Sequence, residues 1–333
     1  MTPQEPTDED SKLSTVDVAL PSELELDDIE RRLFLSPFAA SQVEEFVHSA
    51  HEHDLLLANG LTIPNRLLLH GPPGTGKTSI ARLIAKKLGL PLVTSRSDTL
   101  VSSLLGQTSR NIREVFDYAS SWPCVLFLDE FDALAKNRAD LHEVGELQRV
   151  VIALLQNLDA TSPSTVLIAA TNHPQLLDPA IWRRFSLTIK TDLPGHLQRR
   201  LIFENRLRIF GAVDKDVDVL SMRSQGLSGA AVEAAALDIA RVQVLSRTKE
   251  FDLPRAARRL ARIIWYEHYE IFNDEGSEIR TLRDWLPEVF TIRALAETFE
   301  MSTRQVQNHL GAQENDRVQP DSDAAVRATG AHS

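Results

Sequence analysis

The chain has a single cysteine, Cys124, among 333 residues. That excludes an intrachain disulfide and any metal site built on paired thiolates. It also lacks any stretch near the roughly 20 consecutive apolar residues that a membrane-spanning helix needs. An acidic start does not fit a secretion signal. These absences together predict a cytoplasmic protein with no membrane partner. Basic residues are almost missing from the first thirty positions, where ten acids face Lys12 alone and account for −9 of the net charge of −11. Its first twenty or so residues are also rich in Pro, Thr and Ser, so 1–30 reads as an acidic disordered tail that solvates or docks. Residues 313–333 are similarly polar and read as a second tail.

The strongest positive feature is the run Gly71-Pro72-Pro73-Gly74-Thr75-Gly76-Lys77-Thr78, with Ser79 next. It has the spacing of a phosphate-binding loop. Side chains at Gly71, Gly74 or Gly76 would keep backbone N–H groups from turning inward around phosphate oxygens. Lys77 supplies a point charge between phosphates, and the Thr78 hydroxyl can ligate magnesium. Apolar residues before the loop predict a buried strand, and those after it a helix ended by Gly89 and Pro91. The helix dipole then points at the phosphates.

Residues 124–128 form an unbroken apolar run, as expected of a strand buried on both faces of a parallel sheet. Asp129 at its end is placed to hold magnesium through water, and Glu130 to orient and deprotonate an attacking water. Asp132 either supports the site from behind or caps a helix. A second apolar strand, 166–170, ends in Thr171-Asn172, where an asparagine amide can bond the γ-phosphate and the attacking water together. Arg183 and Arg184 come next among bulky apolar residues. They read either as a solvated helix end or as arginines that reach a neighbour's γ-phosphate.

These motifs, with 128–134, 169–172 and Arg183-Arg184-Phe185, resemble the AAA family of ATPases in order and spacing. Gly226-Leu227-Ser228-Gly229-Ala230 is similar to that family's lid segment, in which Gly229 and Ala230 would pack on adenine and ribose. The resemblance spans about Leu35 to Val244. It implies Mg2+ and ATP as cofactors and a ring, usually a hexamer, with Glu130 and Asn172 acting in cis and Arg183 and Arg184 in trans. The fold expected is α/β: a P-loop NTPase parallel sheet flanked by helices, then an α-helical lid and an all-α extension. The boundaries predicted are 31–194 for the large subdomain, 195–248 for the lid and 249–312 for the extension. One departure concerns the family's substrate-threading loop, which carries an aromatic residue. Here Leu104 takes its place, behind Ser103, and offers apolar grip without a large flat ring.

The extension is less specific. Arg255, Arg258, Arg259 and Arg262 share one helical face, predicted either to pair with acids of a neighbouring subunit or to contact nucleic-acid phosphates. Residues 291–310 resemble a helix-turn-helix unit. Ala296 would sit at the crossing, Ser302 would cap the second helix, and Val306 and Leu310 would pack inward. Thr303, Arg304, Gln305, Gln307 and Asn308 would face outward with donors suited to base edges and phosphates. Glu300 stands where such turns favour glycine with positive φ. DNA contact and a purely structural or protein-docking role both remain open. Two functions are compatible with these features: an ATP-hydrolysing ring that remodels or regulates a protein client or partner, or a DNA-associated nucleotide switch. A catalytically dead scaffold is disfavoured because every catalytic position holds its expected residue type.

Overall fold

A computed structural model describes residues 16–24, 33–61, 65–96, 100, 105–134, 144–246, 250–266 and 271–316. The threading-loop positions Thr99 and Val101 to Leu104 lie outside the described residues, as do most of the two predicted tails.

In chain order the elements are β1 (Val16–Ala19), α1 (Pro37–His51), α2 (His53–Ala58), β2 (Arg66–His70), α3 (Lys77–Leu88), β3 (Leu92–Arg96) and α4 (Leu105–Ser120). Next come β4 (Val125–Asp129), α5 (Val144–Ala160), β5 (Val166–Thr171), α6 (Pro179–Trp182), β6 (Leu187–Lys190), α7 (His196–Leu207) and α8 (Asp214–Arg223). The chain ends in α9 (Gly229–Ser246), α10 (Leu253–Ile264), α11 (Glu275–Trp285), α12 (Ile292–Thr298) and α13 (Thr303–Asp316). It divides into two compact units: the residues through Ile202 together with Gln225–Val232, and Phe203–Ser224 together with Glu233 onward. The sequence boundaries at 194 and 248 therefore do not coincide with the compact units, because the chain crosses from one to the other within α7, after α8 and again within α9.

The first unit is a six-stranded sheet of order β1-β3-β4-β5-β2-β6. All neighbours run parallel except β1, which pairs antiparallel with β3. Each central strand is buried on both faces, and alternate residues enter opposite cores. Leu126 and Leu128 join Ile112, Phe116 and Leu154 on one face, while Val125 and Phe127 join Ile80, Ile84 and Phe46 on the other. Burying one such side chain stabilises the fold by roughly 1.5–3 kcal/mol. The unbroken apolar runs in the sequence are thus the signature of a two-faced sheet.

The tail 1–30 is corrected in part. Val16 and Val18 pack on the sheet core, Leu24 is buried, and Lys86 Nζ donates to the Pro21 carbonyl at 2.7 Å. Period-two placement of Val16 and Val18 around Asp17 outweighs the acidic composition there. At the other end α13 runs to Asp316, a few residues into the predicted second tail.

The second unit is helical. Ala257, Ala261, Ile279, Leu282, Phe290, Leu295 and Val306 form one core that also takes in Val219 of α8. Asp252, Asp274, Thr291 and Ser302 each cap a helix by accepting from backbone N–H groups. Glu300 turns the chain from α12 into α13 at φ +54. Ala296 and Val306 are buried there, while Thr303, Arg304, Gln305, Gln307 and Asn308 are exposed.

Candidate active site

The carboxyl ends of β2, β4 and β5 lie side by side in the sheet, so the turns leaving these strands meet at one edge. After β2 comes the loop 71–76, then α3 beginning at Lys77. Gly74 has φ +72, and a Cβ there would meet Ser228 Oγ at 2.7 Å. The positive φ alone makes any side chain there strained. The Ala230 N–H donates to the Gly74 carbonyl at 3.0 Å, so the sequence-predicted pair Gly229-Ala230 does lie against the loop. Lys77 Nζ donates to the carbonyls of Gly71 and Pro72, both at 2.8 Å. Burial holds its ammonium below the ordinary lysine value, partly opposed by the carboxylates of Asp129 and Asp132.

Thr78 Oγ1 donates to Asp129 Oδ2 at 3.1 Å, which joins the two predicted magnesium-binding side chains. The other carboxylate oxygen, Oδ1, accepts from the Glu130 N–H at 2.9 Å. Glu130 itself holds φ +50, an unfavourable conformation for a residue with a side chain. The chain turns sharply at this strand end and leaves Glu130 exposed directly after Asp129.

Asp132 is buried, and its Oδ1 accepts from Thr171 Oγ1 at 2.9 Å and from the Asn172 N–H at 3.4 Å. It therefore fixes the end of β5 to the turn after β4, which decides between the two sequence readings of this residue in favour of support. Asn172 Oδ1 is buried and finds no hydrogen-bond partner among the described residues. Such an atom calls for a donor, and a water or ligand in the site would provide it.

The two arginines separate. Arg183 is exposed. Arg184 is clamped to Asp159, with Nε and one terminal nitrogen donating at 3.2 and 3.1 Å, and bonds the Ala180 carbonyl at 3.0 Å. Hydrogen bonding to Asp159 raises its already high pKa. Sequence reasoning gave the pair one role and missed Asp159, since an acid near the end of α5 carries no local signal.

Residues 67–193 match the family profile described as ATPase family associated with various cellular activities (AAA). This chain carries an AAA ATPase domain. It is 40% identical over 216 residues to an uncharacterized AAA family ATPase, y4kL, of Sinorhizobium fredii, covering 63% of this chain and 64% of that one. It is 36% identical to a proteasome-activating nucleotidase of Aeropyrum pernix over 189 residues, 54% of this chain and 46% of that one. It is 34% identical to the ATP-dependent zinc metalloprotease FtsH 3 of Sphaerobacter thermophilus over 205 residues, 59% and 41% of the two chains. The chain thus spans less than two thirds of each of these relatives. The matched residues take in the loop and most of the parallel sheet, and they end at Leu193, ahead of α7.

In the extension beyond α9 the arginines expected to form a basic face are paired within the chain. Arg258 lies bidentate on Glu278, both contacts at 2.7 Å, and Arg262 reaches the same carboxylate at 3.3 and 3.4 Å. Arg255 pairs with Asp252 at 3.2 Å and Arg259 approaches Asp238 at 3.7 Å. The acids are this chain's own. Packing of α10 against α11 turns part of the arginine stripe inward. Among the described residues no helix is long and apolar enough to cross a membrane.

Proposed function

We propose that this chain binds Mg-ATP in the loop 71–79 and hydrolyses it, and that copies assembled in a ring use the cycle to remodel or regulate a protein partner. Convergence of Thr78, Asp129, Glu130 and Asn172 at one sheet edge is the observation that carries this reading. The open loop suits a triphosphate, which would give Lys77 a better partner than two carbonyls. Thr78 and Asp129 offer oxygen donors suited to magnesium, the remaining ligands coming from phosphate and water. Glu130 would take a proton from the attacking water, while Asn172 holds that water in line. Arg183, exposed, would complete the γ-phosphate site of the next copy, with Arg184 beside it on Asp159. The lid residues Gly229 and Ala230 would contact the nucleoside.

A protein partner is favoured because relatives carry names such as proteasome-activating nucleotidase. Leu104 would contact that partner if a polypeptide is threaded. The DNA-associated switch has less support, because the arginines of α10 are engaged with the chain's own acids. Recovery of the Glu130→Gln protein with ATP from its host, with and without nuclease, tests the choice. A discrete protein retained after nuclease supports the reading; DNA recovered with proteins that nuclease releases would replace it.

A further inference from the structure

Thr191 immediately follows β6 and is 3% exposed. Nothing in its sequence neighbourhood marks it out, yet it touches the phosphate loop at several points. Its N–H donates to the His70 carbonyl at 2.8 Å. A Cβ on Gly71 would fall 1.9 Å from the Thr191 carbonyl oxygen, so the loop's first residue lies directly on it. Its hydroxyl is 2.7 Å from Thr75 Oγ1 and 3.3 Å from the His70 carbonyl. Thr75 Oγ1 in turn lies 2.8 Å from the Pro72 carbonyl, across the loop.

Counting protons orders these contacts. Each hydroxyl has one hydrogen to give and can accept others. If Thr75 donates to the Pro72 carbonyl, Thr191 must donate to Thr75; the 2.8 and 2.7 Å contacts are then both made. In the other arrangement Thr75 donates to Thr191, the longer 3.3 Å contact to His70 is made, and Pro72 loses its hydroxyl donor. The shorter pair favours the first. The Pro72 carbonyl also accepts from Lys77 Nζ, but Lys77 must leave it to reach a phosphate. Thr75, backed by Thr191, then remains to hold that carbonyl.

We propose that Thr191 is a positioning residue for nucleotide binding, its hydroxyl fixing the shape that the phosphate loop keeps once Lys77 turns to a phosphate. This rests on the nucleotide-binding reading above. Valine at this position keeps the branched shape and removes the hydroxyl; serine keeps the hydroxyl and removes the methyl group.

The test is binding of a fluorescent, non-hydrolysable ATP analogue with magnesium to the full-length chain, alongside thermal unfolding. Thr191→Val is expected to bind about tenfold more weakly, the consequence of one unmade buried hydrogen bond. Thr191→Ser should stay within about twofold of the parent on the same scale, and both variants should unfold near the parent temperature. Thr75→Val should weaken binding similarly, and the double valine variant should be no weaker than either single one. Unchanged affinity in Thr191→Val, equal losses in the valine and serine variants, or additive losses in the double variant would each overturn the inference. Should Thr191→Val not fold, Thr75→Val against Thr75→Ser decides on the same terms. A parent protein that binds no nucleotide would overturn the nucleotide-binding reading and this inference with it. Parent binding with an unaffected valine variant overturns this inference alone.

Discussion

Asp159, near the end of α5, holds Arg184 by two parallel hydrogen bonds of 3.2 and 3.1 Å, while Arg183 next to it is exposed. Adjacent residues of one type thus have different surroundings, so their removal should differ in its effect on stability rather than on turnover. Arg183→Ala is expected to bind ATP like the parent and to lose turnover by roughly 10³-fold, the lower end for a trans-acting arginine. Mixing it with Glu130→Gln protein should restore part of the turnover, because some neighbours then pair an intact Glu130 with an intact Arg183. Normal turnover in Arg183→Ala alone would contradict the trans role. Arg184→Ala should also bind ATP normally yet hydrolyse poorly, and releasing Asp159 should lower stability only slightly because the pair is partly exposed. Weakened binding with unchanged turnover would count against it.

Glu130 and Glu300 both hold positive φ, at +50 and +54. The left-handed region costs a residue with a side chain roughly 1–2 kcal/mol, and glycine returns part of this through its freer unfolded state. Glu300→Gly should therefore raise the unfolding free energy by up to about 1 kcal/mol in a denaturant titration. Glu130→Gly should be similarly stabilised while losing all turnover. Destabilisation of both variants would show that the two turns are not strained.

Glu278 is a buried carboxylate between Arg258 and Arg262. Removing it in Glu278→Ala strands two guanidinium groups and should cost roughly 3 kcal/mol. Burial pushes its pKa up, but hydrogen bonds and charge from Arg258 and Arg262 outweigh that and leave it below the ordinary glutamate value. A depressed carboxyl stabilises fully above its unfolded pKa and ceases to do so as pH falls through its folded one. The stability gap between the parent and Glu278→Gln should accordingly shrink below about pH 4. A gap constant from neutral pH to pH 3 would contradict the assignment.

Cys124 is wholly buried ahead of β4, and burial pushes its thiol up to about 12. Native protein should therefore resist thiol reagents at pH 8, with labelling that tracks the opening of the sheet and accelerates in denaturant. Rapid stoichiometric labelling of folded protein would mean that the central sheet opens locally.

Much of the sheet is legible because its strands are written locally. Residues 67–69, 125–128 and 166–170 are continuous apolar runs that need burial on both faces, and the loop at 71–78 fixes the strand-to-helix turn after the first of them. β1 is not legible in this way, since Val16 and Val18 are stabilised by a partner strand some eighty residues later in an otherwise acidic stretch. The same limit hid Asp159 and Thr191, whose roles exist only through residues far off in sequence. The arginine stripe of α10 shows the opposite failure. Its helical periodicity was plain, but Glu278, which captures Arg258 and Arg262, belongs to another helix.

Glu130 is proposed to activate the water for hydrolysis of nucleotide held by Lys77, Thr78 and Asp129. The most direct test of this role is Mg-ATP affinity and phosphate release measured together for the parent and for Glu130→Gln. Equal affinity with phosphate release reduced at least about a hundredfold, the scale of a lost general base, is the predicted result. Phosphate release by Glu130→Gln at the parent rate would exclude Glu130 as the base.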